Sequence, residues 1–209
     1  MFQLGYNKAL DDFVEELIRY VDCGHLFTIE TVTYSNFPLN ADSLIAASAD
    51  EGKIKSGSHF DVVSLDAERN RLSNLFRNNG YYYYQPSYAS YRADTVNTPG
   101  KVKLDVELAD NLPEKALKQW YIGNISINLR RTFMEELKDS IHYYFFRAYF
   151  NGKKPPVRPR VIMSDMKLRH GQPYDYSKHT ESNNRIASKG MFSSVDFQFT
   201  PRDTTAARE

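Results

Sequence analysis

The residues best suited to chemistry in this sequence are His170 and His179, which lie near Asp165 and Asp175. Imidazole and carboxylate together are the donors of a transition-metal site and the proton carriers of general acid–base catalysis. Their spacing matches no ligand motif, so they read as loop bystanders. Paired carboxylates occur at Glu15 and Glu16 and at Glu135 and Glu136, but neighbours on a helix diverge by about 100° and form solvated faces instead of converging on one bond. Cys23 is the single cysteine, which allows no disulfide within the chain and supplies no second thiol for a metal or redox pair. No nucleophile elbow, phosphate loop or Cys–His pairing occurs. The sequence therefore predicts no enzyme, with no catalytic, cofactor-binding or metal-binding residues, and its chemistry is that of binding.

Three stretches have the composition of a binding surface. The run Lys153-Lys154-Pro-Pro-Val-Arg158-Pro-Arg160 is basic and proline-rich, which suits phosphate contact and equally a stiff, solvated connector. The segment from Lys189 and Gly190 through Phe192 to Phe197 has the glycine–aromatic pattern with which RNA-recognition motifs stack bases. Against that stands the balance of 27 basic and 26 acidic side chains, a net +1 that gathers no polyanion. Val195, Phe197 and Phe199 also alternate with Ser194, Asp196 and Gln198, which assigns the apolar set to a core. An RNA-recognition-like module is the alternative reading, and no nucleic acid is expected as a partner.

The third stretch is Tyr81–Tyr84. It reads as the start of a strand from Tyr81 to Arg92, placed at a sheet edge by Pro86, which cannot donate to a ladder. Two of the four rings then face outward. An edge with exposed tyrosines suits peptide capture by strand addition, in which free amides and carbonyls of the sheet pair with an extended guest. The candidate peptide-binding edge is Tyr82, Tyr84 and Tyr88 from this strand, with Ser194, Asp196 and Gln198 from a second strand over Ser193–Thr200.

These stretches are positioned by a repeat. Gly, two residues, an aromatic and Asp recur as Gly57, Phe60, Asp61 and as Gly171, Tyr174, Asp175, each followed by a helical run and then by Gly with aromatics at Gly80 and Tyr81 or at Gly190 and Phe192. A repeat decides architecture before any local assignment does. In the first copy, Phe27–Tyr34 is a strand, Asn40 or Asp42 caps a short helix through Ala49, and Asp61 caps a longer one with Leu65, Leu72, Leu75 and Phe76 as its buried stripe. The Tyr81–Arg92 strand and a strand alternating Val102, Leu104, Val106 and Leu108 with charged residues complete it. The second copy opens with Trp120–Leu129, which aligns Ile122, Ile125 and Ile127 with Ile29, Val32 and Tyr34. Residues 130–157 follow as an insertion, whose densely aromatic part, Ile141–Phe150, ends at Asn151-Gly152 and reads as a hairpin arm. A short helix from Pro159 and one capped by Asp175 lead to Ser193–Thr200. No counterpart of the Val102–Leu108 strand follows.

The expected fold is α+β: tandem β-α-α-β-β units, each a three-stranded mixed sheet covered by two helices, with the second unit truncated. Residues 25–110 form one unit and residues 111–209 another, with an aromatic arm at about 130–157 and without its last strand. Residues 1–24 are an amphipathic helix, with apolar residues from Leu10 to Val21, or the remnant of a preceding unit. No apolar run approaches the roughly 20 residues that span a bilayer as a helix. Acidic residues occupy the place of a signal peptide's apolar core.

Such units, with a Gly-x-x-aromatic-Asp start to the second helix, an Arg-rich helix, Asn-Gly and tyrosines, resemble the polypeptide-transport-associated (POTRA) domains of the BamA/TamA outer-membrane assembly superfamily, with TamL-like proteins nearest. The residues carrying the resemblance are Gly57, Phe60, Asp61, Glu68, Arg69, Arg71, Leu72, Asn79, Gly80 and Tyr81, and in the second unit Tyr121, Ile122, Gly123, Arg158, Pro159, Gly171, Tyr174, Asp175, Gly190, Phe192 and Phe197-x-Phe199-x-Pro201. The resemblance implies a place at the periplasmic face of the outer membrane, in front of a β-barrel that would follow in a longer protein. It implies unfolded outer-membrane or envelope proteins as partners, with other subunits of an assembly complex, and no cofactor.

Overall fold

The structure is a computed structural model that describes residues 26–96 and 99–202. The segment expected at residues 1–24, with Cys23, lies outside the described residues. In the first unit β1 (Thr28–Ser35) leads through α1 (Leu39–Ala47) and α2 (Val62–Asn78) to β2 (Ala89–Asp94) and β3 (Lys101–Leu108). The sheet order is β1-β3-β2, with β3 parallel to β1 and antiparallel to β2. The alternation in β3 buries Val102, Leu104 and Val106; Val106 joins Ile45, Leu72 and Phe76 of the helices in one apolar cluster, and Leu104 joins Ile29 and Ile54 in a second. α2 starts where Asp61 accepts from Ser64 N at 2.8 Å and from Ser64 Oγ at 2.7 Å, satisfying an amide that the first turn leaves free. α1 follows Pro38 without a side-chain cap, and Asn40 and Asp42 lie inside the helix.

The second unit contains β4 (Ile125–Asn128), β5 (Asp139–His142), β6 (Phe146–Phe150), α3 (Pro159–Asp165) and α4 (Tyr176–Ser188). Asp175 caps α4 by accepting from Lys178 N at 3.0 Å. The sheet order is β4-β6-β5, with β6 parallel to β4 and β5 antiparallel to β6. The aromatic insertion is thus a hairpin that adds two strands to the sheet. Its turn falls at Tyr143–Phe145, where Tyr143 N donates to Phe146 O at 2.9 Å, and not at Asn151-Gly152. Ala148 and Phe150 are buried with Ile127, Leu129, Ile162 and Ile186.

Two expected strands are corrected. Tyr81–Tyr84 is a turn, and β2 begins only at Ala89, after a short 3₁₀ turn over Pro86–Tyr88. Gly80 sets this course with φ +98°, a conformation glycine adopts without the clash a Cβ would bring. Ser193–Thr200 keeps the expected alternation, with Val195, Phe197 and Phe199 half-buried and their neighbours exposed, but among the described residues it forms no ladder. The pattern turns apolar side chains onto the core, while a ladder also needs a neighbouring strand, which alternation alone does not supply.

Candidate functional site

The tyrosine run splits between two units. Tyr81 and Tyr84 point into the first core, where they pack edge-on against Phe76 at 5.6 and 4.6 Å between ring centroids. Tyr82 and Tyr83 reach the second unit: Tyr82 packs on Tyr174 at 4.8 Å and on Phe199 at 5.2 Å, and Tyr83 on Trp120 at 5.3 Å. Main-chain and side-chain bonds close the same joint. Trp120 N donates to Gly80 O at 2.8 Å, Ser177 N donates to Asn78 Oδ1 at 3.0 Å, and the Arg77 guanidinium lies 3.9 Å above the Tyr176 ring. The run therefore joins the two units and is not part of a strand.

Of the predicted edge residues, Tyr84 is 3% exposed and Tyr88 packs on it from the 3₁₀ turn. Their N–H groups are already bonded within the turn, Tyr84 N to Tyr81 O and Tyr88 N to Gln85 O, both at 3.0 Å. Tyr82, Ser194, Asp196 and Gln198 are brought together along one groove of about 910 Å³. One wall of that groove is the chain from Tyr121 through β4 to Leu129, and the other is the extended segment over residues 194–202. Ile162, Met166, Leu168 and Ile186 form its floor. Gln198 Nε2 donates to Asp196 Oδ2 at 2.9 Å along the second wall.

Matching hydrogen bonds in the two units show what the groove corresponds to. Gly57 N donates to Ile29 O and Ile29 N to Ser58 O; Gly171 N donates to Ile122 O and Ile122 N to Gln172 O. Phe60 N donates to Phe27 O as Tyr174 N does to Trp120 O. The start of β1 thus matches the chain leading into β4, and the Gly57 loop matches the Gly171 loop, each loop on the strand's outer edge. Thr28 N turns the opposite way, to Gly100 O next to β3. β1 shifts register between Ile29 and Thr31, which passes its outer-edge groups from Ile29 to Val32 and Tyr34. The matching residues are Ile122, then Ile125 and Ile127, so β6, with Leu129 N donating to Tyr149 O, adds to the outer edge. Successive main-chain groups point to alternate edges of a strand, so Ser126 and Asn128 turn theirs into the groove. The groove lies where β3 lies in the first unit.

Burial sets the electrostatics around this site. Desolvation pushes the Tyr174 phenol up to about 12, and its Oη lies 3.1 Å from His179 Nδ1. His179, packed against Phe197 and Phe199, is held below the ordinary imidazole value by burial and by the charge of Arg77. His170 is apart from it and donates from Nδ1 to Gly123 O at 2.8 Å. Among the described residues no group of three or more His, Cys, Asp or Glu gathers as metal ligands would. Phe192, Val195 and Phe197 are half-buried against the second core. The strand expected over Trp120–Leu129 is present as β4 over Ile125–Asn128, but sequence reasoning did not place it among the binding residues, because the alternation of Ile-Ser-Ile-Asn assigns faces and says nothing of an open edge.

No protein-family model matches the sequence, and no curated protein matches it. Solved structures similar in fold include two from BamA proteins. One is the third to fifth POTRA domains of Haemophilus influenzae BamA, at 9% identity and TM-score 0.50 over 85% of this chain and 56% of that one. The other is Haemophilus ducreyi BamA lacking its first three POTRA domains, at 11% identity and TM-score 0.59 over 86% of this chain and 27% of that one. The chain thus spans little more than half the length of the first and about a quarter of the second. At such identities the likeness is one of fold, and the fold is that of POTRA-like units.

Proposed function

We propose that this chain is a non-enzymatic POTRA segment of an outer-membrane protein assembly or translocation factor, and that it holds unfolded client chains by strand addition at the periplasmic face of the outer membrane. The observation that supports the reading is the tandem POTRA-like fold, with β2 and β4 among the four strands at its sheet edges. Free main-chain donors and acceptors on an edge bind extended chains with little preference for sequence, which suits a handler of many clients. A downstream β-barrel and further assembly subunits are the partners this role calls for. TamL-like proteins are the proposed nearest relatives.

The test uses an outer-membrane barrel protein unfolded in urea and diluted into buffer with and without this protein. The expected result is slower aggregation in its presence, changed little between low and high salt. Failure to delay aggregation overturns the reading. So does binding to single-stranded RNA that weakens steeply with salt, which is the signature of phosphate contact.

A further inference from the structure

We propose that the groove between β4 and residues 194–202 is the client-binding seat, taking an extended client segment parallel to β4 and antiparallel to the opposite wall. This rests on the strand-addition reading and gives it a place, a direction and a residue pattern. The first unit supplies the template. There β3 runs parallel to β1 with Val102, Leu104 and Val106 beside Ile29, Val32 and Tyr34. The matching positions in the second unit are Ile122, Ile125 and Ile127.

Between these apolar positions β3 carries Asp105, which accepts from Thr33 Oγ1 at 3.0 Å and from Ser35 Oγ at 2.8 Å. The residues matching Thr33 and Ser35 are Ser126 and Asn128. Both are exposed and both carry a side-chain donor. The floor of Ile162, Met166, Leu168 and Ile186 is apolar, as is the surface under β3. The occupant is therefore an extended client segment with apolar residues at alternate positions and a hydrogen-bond acceptor, best a carboxylate, before the last of three. Among the described residues no main-chain hydrogen bond joins β4 to residues 194–202, so both walls have main-chain groups to offer. Most of the affinity comes from the ladder and the alternate apolar side chains, and the acceptor sets register.

The probe is a synthetic peptide of the chain's own Gly100–Asp110 sequence, GKVKLDVELAD, offered to the full chain with Cys23→Ser. A cysteine replaces Glu107 of the peptide and Asn128→Cys is made in the protein. β1 and β3 pair Ser35 with Glu107, so these sulfurs stand on adjacent strands within disulfide reach. The expected result is cross-linking at this pair, at least tenfold less with the peptide cysteine moved to Val102, and at least tenfold weaker binding of a peptide of equal composition with broken alternation. Equal cross-linking from either peptide end overturns the parallel seat. A covalent dimer formed by two copies without peptide overturns it in favour of a second copy. Binding seen only after removal of residues 203–209 overturns it in favour of the chain's own segment. Ser126→Pro removes one groove-facing N–H while sparing the β6 side, and the expected loss of peptide binding, with the far-UV spectrum kept, supports the seat; unchanged binding overturns it. The two readings fail separately. Aggregation still delayed by the cross-linked protein sinks the seat and leaves the client role standing, whereas peptide binding without any delay of aggregation sinks the client role.

Discussion

Replacing Glu68 by alanine is the perturbation whose cost the structure defines best. The side chain is 0% exposed. It accepts from Tyr34 Oη at 2.7 Å, from Lys53 N at 2.8 Å, and from Arg71 through Nη2 at 2.6 Å and Nε at 3.0 Å. Glu68→Ala strips an acceptor from a nearly buried guanidinium, a backbone amide and a phenol at once. Breaking a buried ion pair by removing one partner costs about 3–5 kcal/mol. Arg71 keeps Ser48 Oγ at 2.9 Å and Ser48 O at 3.3 Å, which places the cost toward the lower end, about 3 kcal/mol. Glu68→Gln keeps the shape and one acceptor oxygen and should cost about 1–3 kcal/mol. Urea unfolding followed by circular dichroism measures both, with the loss read from the midpoint at unchanged slope. The earlier shift should belong to the first unit, with Trp120 fluorescence reporting the joint. A Glu68→Ala protein within about 0.5 kcal/mol of the parent, the range of an ordinary surface change, would refute the network as a stabilising element.

The second unit answers the same position with Ser182, which is fully buried, accepts from Lys167 N at 2.8 Å and donates to Lys178 O at 2.6 Å; Ser182→Ala should cost about 1–3 kcal/mol by orphaning the amide, read from the second unit's urea midpoint. Tyr84 Oη is buried without a hydrogen-bond partner, so Tyr84→Phe should leave thermal stability unchanged or raise it by up to about 1 kcal/mol, and a drop of that size would show a partner for the hydroxyl. In Glu68, burial raises the carboxyl, but the bonds from Arg71, Lys53 N and Tyr34 outweigh it and leave it below the ordinary value. Its contribution is therefore present above about pH 4.3 and is lost as pH falls through the depressed folded value, an acid loss that Glu68→Gln should remove. His179 is also depressed, so its contribution is full above about pH 6.5 and fades below; His179→Phe should flatten urea midpoints measured across that range.

What was legible in the sequence was what local chemistry enforces. Gly57 and Gly171 both adopt positive φ, at +84° and +78°, and Asp61 and Asp175 both cap helices, so the repeat could be seen from residue types alone. The alternation of β3 was equally direct, because a period of two assigns faces without reference to a partner. Pairing was not legible. Nothing in the aromatic run from Ile141 to Phe150 says that its second arm will lie on the outer edge of β4, since edge choice depends on residues far away in sequence. The tyrosine run misled because four aromatics in succession satisfy strand propensity, while Gly80 and the second unit impose a turn that divides them between two bodies. The groove followed from neither: it emerges only when the two units are laid side by side through their matching hydrogen bonds.

The most direct measurement is amide hydrogen exchange in the complex with an unfolded outer-membrane barrel protein, resolved along Tyr121–Leu129. Strand addition in the groove predicts that the Ser126 and Asn128 amides slow markedly on client binding while Ile127, already turned toward β6, changes little. Saturable client binding that leaves Ser126 and Asn128 exchanging as they do in the free protein contradicts it.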